Sequence, residues 1–591
     1  MFPEPDKTNY VVAQDAKNQR WLYFSDPVKI VSTTETSQVK RVLADVEYEC
    51  RNNGLYAAGY LGYEAARAFD SSFSVKTGGD LPLIWFGIYK LARVIPFPDV
   101  DSIKSELIEP LDWNLLLSED EYRGSVDRVK DYIRNGDTYQ VNYSFRLRAD
   151  CQNSGWPLFV NMVHAQNLAQ QRGYSVFVET PDWTICSASP ELFFHYDGGT
   201  LKSMPMKGTA PRGLGFEDDI AAGIALQKSE KNRAENIMIA DMVRNDMGRI
   251  ARTGSVVTTD VLSVEKYPTF WTMTTTVNCE VGPSLMDIFE AMFPAASITG
   301  APKVRATQII DELESQPRNI YTGAAGFIGS DDTAQFNVAI RTVLVDKRKG
   351  QAEFGVGGGI VWDSETGDEF EECHTKARVL TYLAPDFDLI ETLKWDLENG
   401  YLYIEEHVRR LENSATYFSW NMDSEKVWAA LDNAVPDFGN TPQRVRLQLS
   451  ANGSIKVEFS EFVSLSDPYR VRLAQKAVNS RNYFLYHKTT NRSVYENAMD
   501  AAADQGCDDV LLWNERGEIT ESCRANILID INGRRITPPL SSGLLNGIGR
   551  QVLLDLGTIE EQLITVDMLE QADSIWLVNS VRDRWRVVLE N

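Results

Sequence analysis

The segment Pro205-Met206-Lys207-Gly208-Thr209-Ala210-Pro211-Arg212-Gly213 sets one lysine inside a turn punctuated by glycine and proline. It follows the run Ser187-Ala188-Ser189-Pro190-Glu191. A lysine on such a rigid loop can be desolvated, its pKa lowered, and used as a nucleophile. An ordinary surface lysine in a turn has the same local sequence, so the surrounding chain decides between the two.

At 591 residues the chain is too long for one core, and three or more structural units are expected. Hydrophobic content of 43% with 10% aromatic residues is that of a folded globular protein. A net charge of −25 argues against nucleic-acid binding but leaves room for anionic small substrates, which need only a few local cations. The seven cysteines form no C-x-x-C pair and no zinc spacing, which fits reduced thiols in a cytosol. Neither a signal peptide nor an uncharged apolar run of membrane-spanning length is apparent, so a cytoplasmic protein with no membrane partner is expected. Five histidines argue against Ser–His–Asp hydrolysis and histidine-ligated metals.

The clearest break is Leu383-Ala384-Pro385-Asp386-Phe387-Asp388, where a helix-like run stops at a proline. Upstream, Thr333 to Val345 alternates like strands and Leu285 to Phe293 reads as a helix. Downstream, Glu405 to Phe418 reads as an amphipathic helix. Two separate cores are therefore expected, of about 383 and about 205 residues.

Ser229 to Ile250 reads as a helix that puts Asn232 and Glu235 on one face. Glu369 and Glu372 have the same spacing in a second candidate helix. Oxygen ligands gathered from two helices suit Mg²⁺, which takes carboxylates, waters and an anionic substrate group. The alternative for Glu369 is a capping box with Thr366, in which it merely satisfies an orphan amide.

Residues 118–383 resemble the catalytic half of the chorismate-utilising enzymes, and Lys207 looks like component I of aminodeoxychorismate synthase; anthranilate synthase relatives typically have alanine there. The resemblance is carried by Gly136-Asp137-Thr138-Tyr139-Gln140-Val141, Arg244-Asn245-Asp246, Thr299-Gly300-Ala301-Pro302-Lys303, Tyr321-Thr322-Gly323 and Gly357-Gly358-Gly359-Ile360. Residues 1–117 resemble the family's amino-terminal portion more weakly, through Gly59-Tyr60-Leu61-Gly62-Tyr63-Glu64. The resemblance implies an α+β fold, a β-sandwich with flanking helices. It implies that Glu235, Glu369 and Glu372 hold Mg²⁺ against one chorismate carboxylate, while Arg341 pairs with the other. Amides of Gly357, Gly358 and Gly359 and the side chains of Thr299 and Tyr321 would contact the substrate. Lys207 would add at C2 while Glu191 protonates the departing C4 hydroxyl, and ammonia would then enter at C4. The chain departs from the family at Thr272, where relatives often have histidine or glutamine, and at Ala296, a frequent glycine.

A second lysine lies in Tyr486-His487-Lys488-Thr489-Thr490-Asn491-Arg492. Thr520-Glu521-Ser522-Cys523-Arg524-Ala525-Asn526 and Asn546-Gly547-Ile548-Gly549-Arg550 follow. A lysine, an acid for a pyridinium nitrogen and a Gly-rich helix start are the parts pyridoxal phosphate requires. Their order resembles the class IV aminotransferase family, and Lys-Thr-Thr-x-Arg is similar to aminodeoxychorismate lyases. By that resemblance residues 387–591 form a second domain in which Lys488 holds the cofactor and Glu521 faces its ring nitrogen. Arg410, Asn526, Ile548, Gly549 and Ser580, beside Asn579, would bind the rest of it. The domain begins directly at Phe387-Asp388-Leu389-Ile390-Glu391-Thr392, lacking much of the lead-in of stand-alone lyases, so the first domain is expected to complete its substrate pocket.

Together the resemblances imply a bifunctional enzyme that turns chorismate and ammonia into 4-aminobenzoate. No residues remain for a glutaminase, so a separate glutamine amidotransferase, or free ammonia, is the expected nitrogen source. Two rivals stand beside this reading: an anthranilate-type synthase fused to a transaminase, and a catalytically silent regulator. Class IV folds are often dimers, which leaves a homodimer open, as is a feedback ligand on the first 117 residues.

Overall fold

A computed structural model describes residues 7–77, 79–98, 111–151, 155–166, 173–282, 284–381, 387–502 and 506–590. The chain divides into two compact units, Met1–Pro211 with Gly223–Ala384, and Arg212–Ala222 with Pro385–Asn591. The break expected at 383–388 falls, for 383–386, outside the described residues.

The first unit contains two ten-stranded sheets. One is built around Gln140–Asp150, Gln351–Ile360 and Thr342–Asp346, the other around Phe270–Glu280, Leu192–Asp197 and Thr333–Val338. Their facing sides share a core of Val11, Phe24, Tyr60, Trp85, Ile185 and Phe327. A second apolar layer covers one sheet with Val39–Asn53 and Leu285–Met292, and a third covers the other with Glu119–Arg134 and Gly155–Ala165. This is a sandwich with helices on both outer faces, each sheet burying both of its sides. The amino-terminal residues are woven into it, since Tyr10–Asp15 pairs with Val176–Glu179 and Tyr56–Leu61 with Ala324–Ile328.

The alternating run from Thr333 is two strands, not one. Thr333–Val338 lies in one sheet and Thr342–Asp346 in the other. The chain crosses at Ala339-Ile340-Arg341, where Arg341 takes a left-handed conformation, φ 51°. Periodicity alone cannot register such a crossing, because both halves read as buried strand and neither names its pairing partner.

In the second unit, Gln443–Leu449 is the third strand of a four-stranded antiparallel sheet. Val445, Leu447 and Leu449 alternate into a core with Val408, Leu411 and Ala415 of the helix Ile404–Phe418. An eight-stranded mixed sheet follows. The segment Arg212–Ala222 belongs to this unit: Arg212 forks onto Asp219 at 2.6 and 2.8 Å, donates to the carbonyl of Tyr417 at 2.8 Å, and Tyr417 Oη donates to the carbonyl of Gly213 at 2.9 Å. Among the described residues no helix is long and apolar enough to cross a membrane.

Candidate active sites

Lys207 lies on a strand, Met206–Pro211, rather than in the expected turn. The pairing of this strand with Phe270–Glu280 slips between Met206 and Thr209, and Gly208 within the slip has φ 89°. Such a bulge re-aims one side chain, and here it turns Lys207 into a cavity of about 320 Å³. The Asn236 amide donates to the Lys207 carbonyl at 3.1 Å and to that of Met273 at 2.9 Å, which fixes the bulge. The lysine is half-buried, not sealed off. Its charge acts on Glu191, Glu369 and Glu372, holding each carboxyl down to some degree.

Glu191 lines the same cavity and is 3% exposed. Burial pushes its carboxyl up to about 7, against the hydrogen bonds that favour the ionised form. Those bonds come from Ser297 Oγ at 2.6 Å and the Met206 amide at 3.4 Å. A carboxylic acid poised in this range can deliver a proton at neutral pH.

The glycine run lies opposite. Gly357, Gly358 and Gly359 pair with Ser144, Tyr143 and Asn142 on one side only, because Thr342–Asp346 on the other side reaches no further than Phe354. That open edge faces the cavity. A Cβ on Gly359 would stand 2.6 Å from Lys207 Nζ, and one on Gly358 would stand 2.9 Å from Glu369 Oε2. The two glycines therefore leave room for Lys207 and Glu369 to reach the backbone.

Glu235 comes from the helix Glu230–Gly248, capped by Ser229, while Glu369 and Glu372 come from Thr366–Ala377. All three line the cavity. The capping-box alternative for Glu369 does not hold. The helix is preceded by Glu365 without a side-chain cap, and Glu369 instead accepts from Ser364 Oγ at 2.7 Å. Burial raises Glu369, and the charge of Glu372 adds to the rise. Glu372 is held down chiefly by Lys376, 2.8 Å away. Among the described residues no three His, Cys, Asp or Glu side chains converge as a finished metal cage. The donor set suits a hard cation that keeps waters and shares a substrate oxygen, and the repulsion between Glu369 and Glu372 is what such a cation would relieve.

Arg341 and Tyr321 also line the cavity. Burial lowers the Arg341 guanidinium to about 10, with Glu372 opposing, and its Nη1 donates to the Lys376 carbonyl. Thr299 is the exception among the expected residues. It lies outside the lining, fully buried, with its hydroxyl donating to the Ala295 carbonyl at 2.8 Å. Thr272 is also fully buried, its hydroxyl without a partner, and Ala296 sits in the short helix Ala296–Ile298 behind the cavity.

Sequence reasoning did not single out Gln140, Asn142, Ser297 or Lys376. Among the described residues Asn142, which lines the cavity, has no partner for Nδ2, and Gln140 has none for either amide atom; a Cβ on Gly359 would meet its Nε2. Lys376 Nζ donates to the Gly357 carbonyl at 2.8 Å. Its position one turn after Glu372 was the available signal.

A second cavity, of about 530 Å³, is lined wholly by residues between Ile390 and Trp585. Lys488 reaches it from a stretch whose carbonyl accepts from the Ile390 amide at 2.9 Å. Burial lowers Lys488 to about 8, and Arg410 adds to the effect. Glu521 is pushed up to about 7 by burial, although Tyr495 Oη at 2.8 Å and the Leu545 amide at 3.2 Å favour its charge. Asn526 Nδ2 bridges Glu521 at 3.2 Å and the Leu545 carbonyl at 2.9 Å.

Arg410 is gripped by Glu391 through two bonds of 2.8 and 2.6 Å and donates to the Asn546 carbonyl at 3.1 Å. His407 Nδ1 lies 2.7 Å from the same carboxylate. Burial works against the charge of Glu391, yet Arg410 and His407 hold it at about 2. The helix Ile548–Asp555 begins at Gly547 with no side-chain cap, so its first amides are open to a phosphate. Gly549 packs so closely that a Cβ would meet the Asn579 carbonyl carbon at 2.8 Å, and Ser580 completes this wall. An uncapped helix start, a clamped arginine and a lysine held below its usual range fit pyridoxal phosphate.

Residues 100–382 match the chorismate binding enzyme family and residues 388–589 the class IV amino-transferase family. Aminodeoxychorismate synthase component 1 of Escherichia coli (strain K12) is 33% identical over 352 residues, covering 55% of this chain and 76% of that protein. The protein of that name from Bacillus subtilis (strain 168) is 37% identical over 262 residues, 44% of this chain and 54% of its own length. The crystal structure of anthranilate synthase component I from Streptococcus pneumoniae TIGR4 superposes with a TM-score of 0.52 and 25% identity, covering 65% of this chain and 94% of that one. The chain thus belongs to the aminodeoxychorismate synthase component 1 family of chorismate-binding enzymes, with a class IV aminotransferase domain at its carboxy-terminal end.

Proposed function

We propose that this chain makes 4-aminobenzoate from chorismate and ammonia in two steps, one in each cavity. The observation that carries the first step is the meeting of Lys207 and Glu191 in one cavity. Lys207 Nζ attacks C2 of chorismate, the ring double bonds shift, and the C4 hydroxyl leaves as water with the proton of Glu191. Ammonia then adds at C4, the double bonds shift back and Lys207 is expelled, giving 4-amino-4-deoxychorismate. Arg341 and the open amides of Gly357–Gly359 orient the substrate carboxylates. Glu235, Glu369 and Glu372 would hold Mg²⁺, which would supply a Lewis acid to neutralise one carboxylate.

The second cavity releases pyruvate and aromatises the ring. Pyridoxal phosphate supplies the electron sink there. Lys488, lowered to about 8, exists partly as a free amine near neutral pH and removes the C4 proton. Glu521 presents a carboxyl to the ring nitrogen, with Tyr495 and Asn526 fixing its orientation. Arg410, Ile548, Gly549 and Ser580 would hold the phosphate. A glutamine amidotransferase partner, or free ammonia, provides the nitrogen.

The test is product analysis with chorismate, Mg²⁺, pyridoxal phosphate and ammonium. 4-Aminobenzoate and pyruvate are expected. Anthranilate as the product would overturn the role given to Lys207, and aminodeoxychorismate left unconverted would overturn that of the second cavity.

A further inference from the structure

The charge around the second cavity runs against the rest of the chain. Acidic residues outnumber basic ones 84 to 59 overall, yet seven cations and one carboxylate line this cavity. Three of the seven have work already: Arg410 and Lys488 as above, and Arg492, which donates to the Cys523 carbonyl at 2.7 Å and covers the Tyr495 ring beside Glu521. Arg444, Arg446, Arg524 and Arg582 have no such role, and only neutral groups bond them: the Tyr469 hydroxyl beside Arg524 and the Val463 carbonyl beside Arg582. Among the described residues none of these four forms a salt bridge.

Their placement follows from the fold. On Gln443–Leu449 the alternation that sends Val445 and Leu447 into the core sends Arg444 and Arg446 to the opposite face. Cross-strand neighbours on that face are Thr392 and Lys394 on one side, Glu458 and Ser460 on the other. Glu458 feels Arg446, but it is occupied by Lys456 at 2.6 Å. Arg446 Nε is buried with no acceptor. Arg582 comes from the far wall, fixed by one bond of 2.7 Å to the Val463 carbonyl and by the Phe462 ring under its guanidinium, 4.7 Å from the ring centre. Arg444 and Arg524 are near enough to act on it as like charges. Like charges assembled around a space with donors unspent call for an anion that brings more than a phosphate.

We infer that the second cavity selects an amine bearing two carboxylates, with Arg446 and Arg582 receiving carboxylate groups and Arg444 and Arg524 drawing the dianion in from the rim. This rests on the lyase reading of the second unit and deepens it. 4-Amino-4-deoxychorismate carries a ring carboxylate and an enolpyruvyl carboxylate, whereas an ordinary amino acid with an apolar side chain offers one.

The test uses the full chain loaded with pyridoxal phosphate. Benzene-1,3-dicarboxylate and benzoate are titrated calorimetrically into wild type, Arg446→Ala and Arg582→Ala, and pyruvate release from added 4-amino-4-deoxychorismate is measured in parallel. Wild type is expected to bind the dicarboxylate about tenfold or more tightly than benzoate. Each variant should lose that preference and raise KM about tenfold or more, with cofactor affinity unchanged. Equal binding of both probes by wild type overturns the inference, as does an unchanged KM in both variants. So does a loss of cofactor affinity that matches the rise in KM, which would assign the arginines to the phosphate. Should wild type prefer the dicarboxylate yet release no pyruvate, the lyase reading fails while dicarboxylate recognition stands.

Discussion

Ser297 Oγ donates a 2.6 Å hydrogen bond to Glu191 Oε1, the carboxyl that faces Lys207 across the first cavity. The bond favours the ionised form and so restrains a pKa that burial has already carried to about 7. The proton donor is competent only while protonated. Amination is therefore expected to fall as pH rises through about 7, on the kcat/KM profile with chorismate.

Removing the restraint should move that limb. In Ser297→Ala the ionised form loses a charge-assisted bond, and the alkaline limb is expected to shift upward by about one pH unit. Glu191→Gln, which has no proton to give, should lower kcat by about 10²-fold or more without unfolding the chain. An unmoved limb in Ser297→Ala would assign it to another group.

Gly359→Ala is expected to damage amination and spare pyruvate release. Its Cβ would sit 2.6 Å from Lys207 Nζ and 2.1 Å from Gln140 Nε2, so the lysine must leave its position. Displacement of this kind costs about 1–3 kcal/mol, or roughly 5- to 150-fold in amination rate. Assaying the two half-reactions separately, with chorismate and with aminodeoxychorismate, checks it.

Lys488→Ala should uncouple the steps in the other direction, accumulating aminodeoxychorismate from chorismate and ammonium. Chelation of Mg²⁺ should do the reverse, stopping chorismate consumption while added aminodeoxychorismate still yields pyruvate. A chelator that stops both would place the metal requirement elsewhere.

Glu391 gives a stability prediction with a definite sign. Its folded pKa, about 2, lies below the ordinary carboxylate value, so it contributes stability above about pH 4.5 that is lost as pH falls toward 2. Glu391→Gln leaves the Arg410 guanidinium without its counter-charge and should cost about 3–5 kcal/mol at neutral pH. Acid unfolding followed by circular dichroism should then show a shallower loss between pH 4.5 and 2 than in wild type.

Most residues that line the two cavities could be read from local motifs, because glycine, lysine and carboxylate spacings survive in sequence. Lys207, Glu191 and Arg341 reach one cavity from three separate stretches, as their motifs implied. What could not be read was the backbone geometry that brings them there. The bulge at Gly208 and the crossing at Arg341 depend on which strand pairs with which, and pairing partners lie far away in sequence. Thr299 looked like a substrate contact because its motif was intact, but its hydroxyl is satisfied one helical turn back by Ala295. Glu391 went unnoticed because one charge among several in the strand Leu389–Asp396 carries no spacing signal. Its partner His407 lies sixteen residues on, in a helix whose facing is set by the core beneath it.

The segment Arg212–Ala222 has a consequence for how the chain is born. It leaves the ribosome with the first unit, but Tyr417, which its arginine and Gly213 grip, is made about 200 residues later. At typical elongation rates that is a delay of about 10–40 seconds. Throughout that interval Arg212 and Asp219 can hold each other, and Asp219 the Gly213 amide, but not Tyr417. The strap must then wait for a partner translated long after it, so a pause or truncation downstream would strand a nascent chain with this anchor unattached.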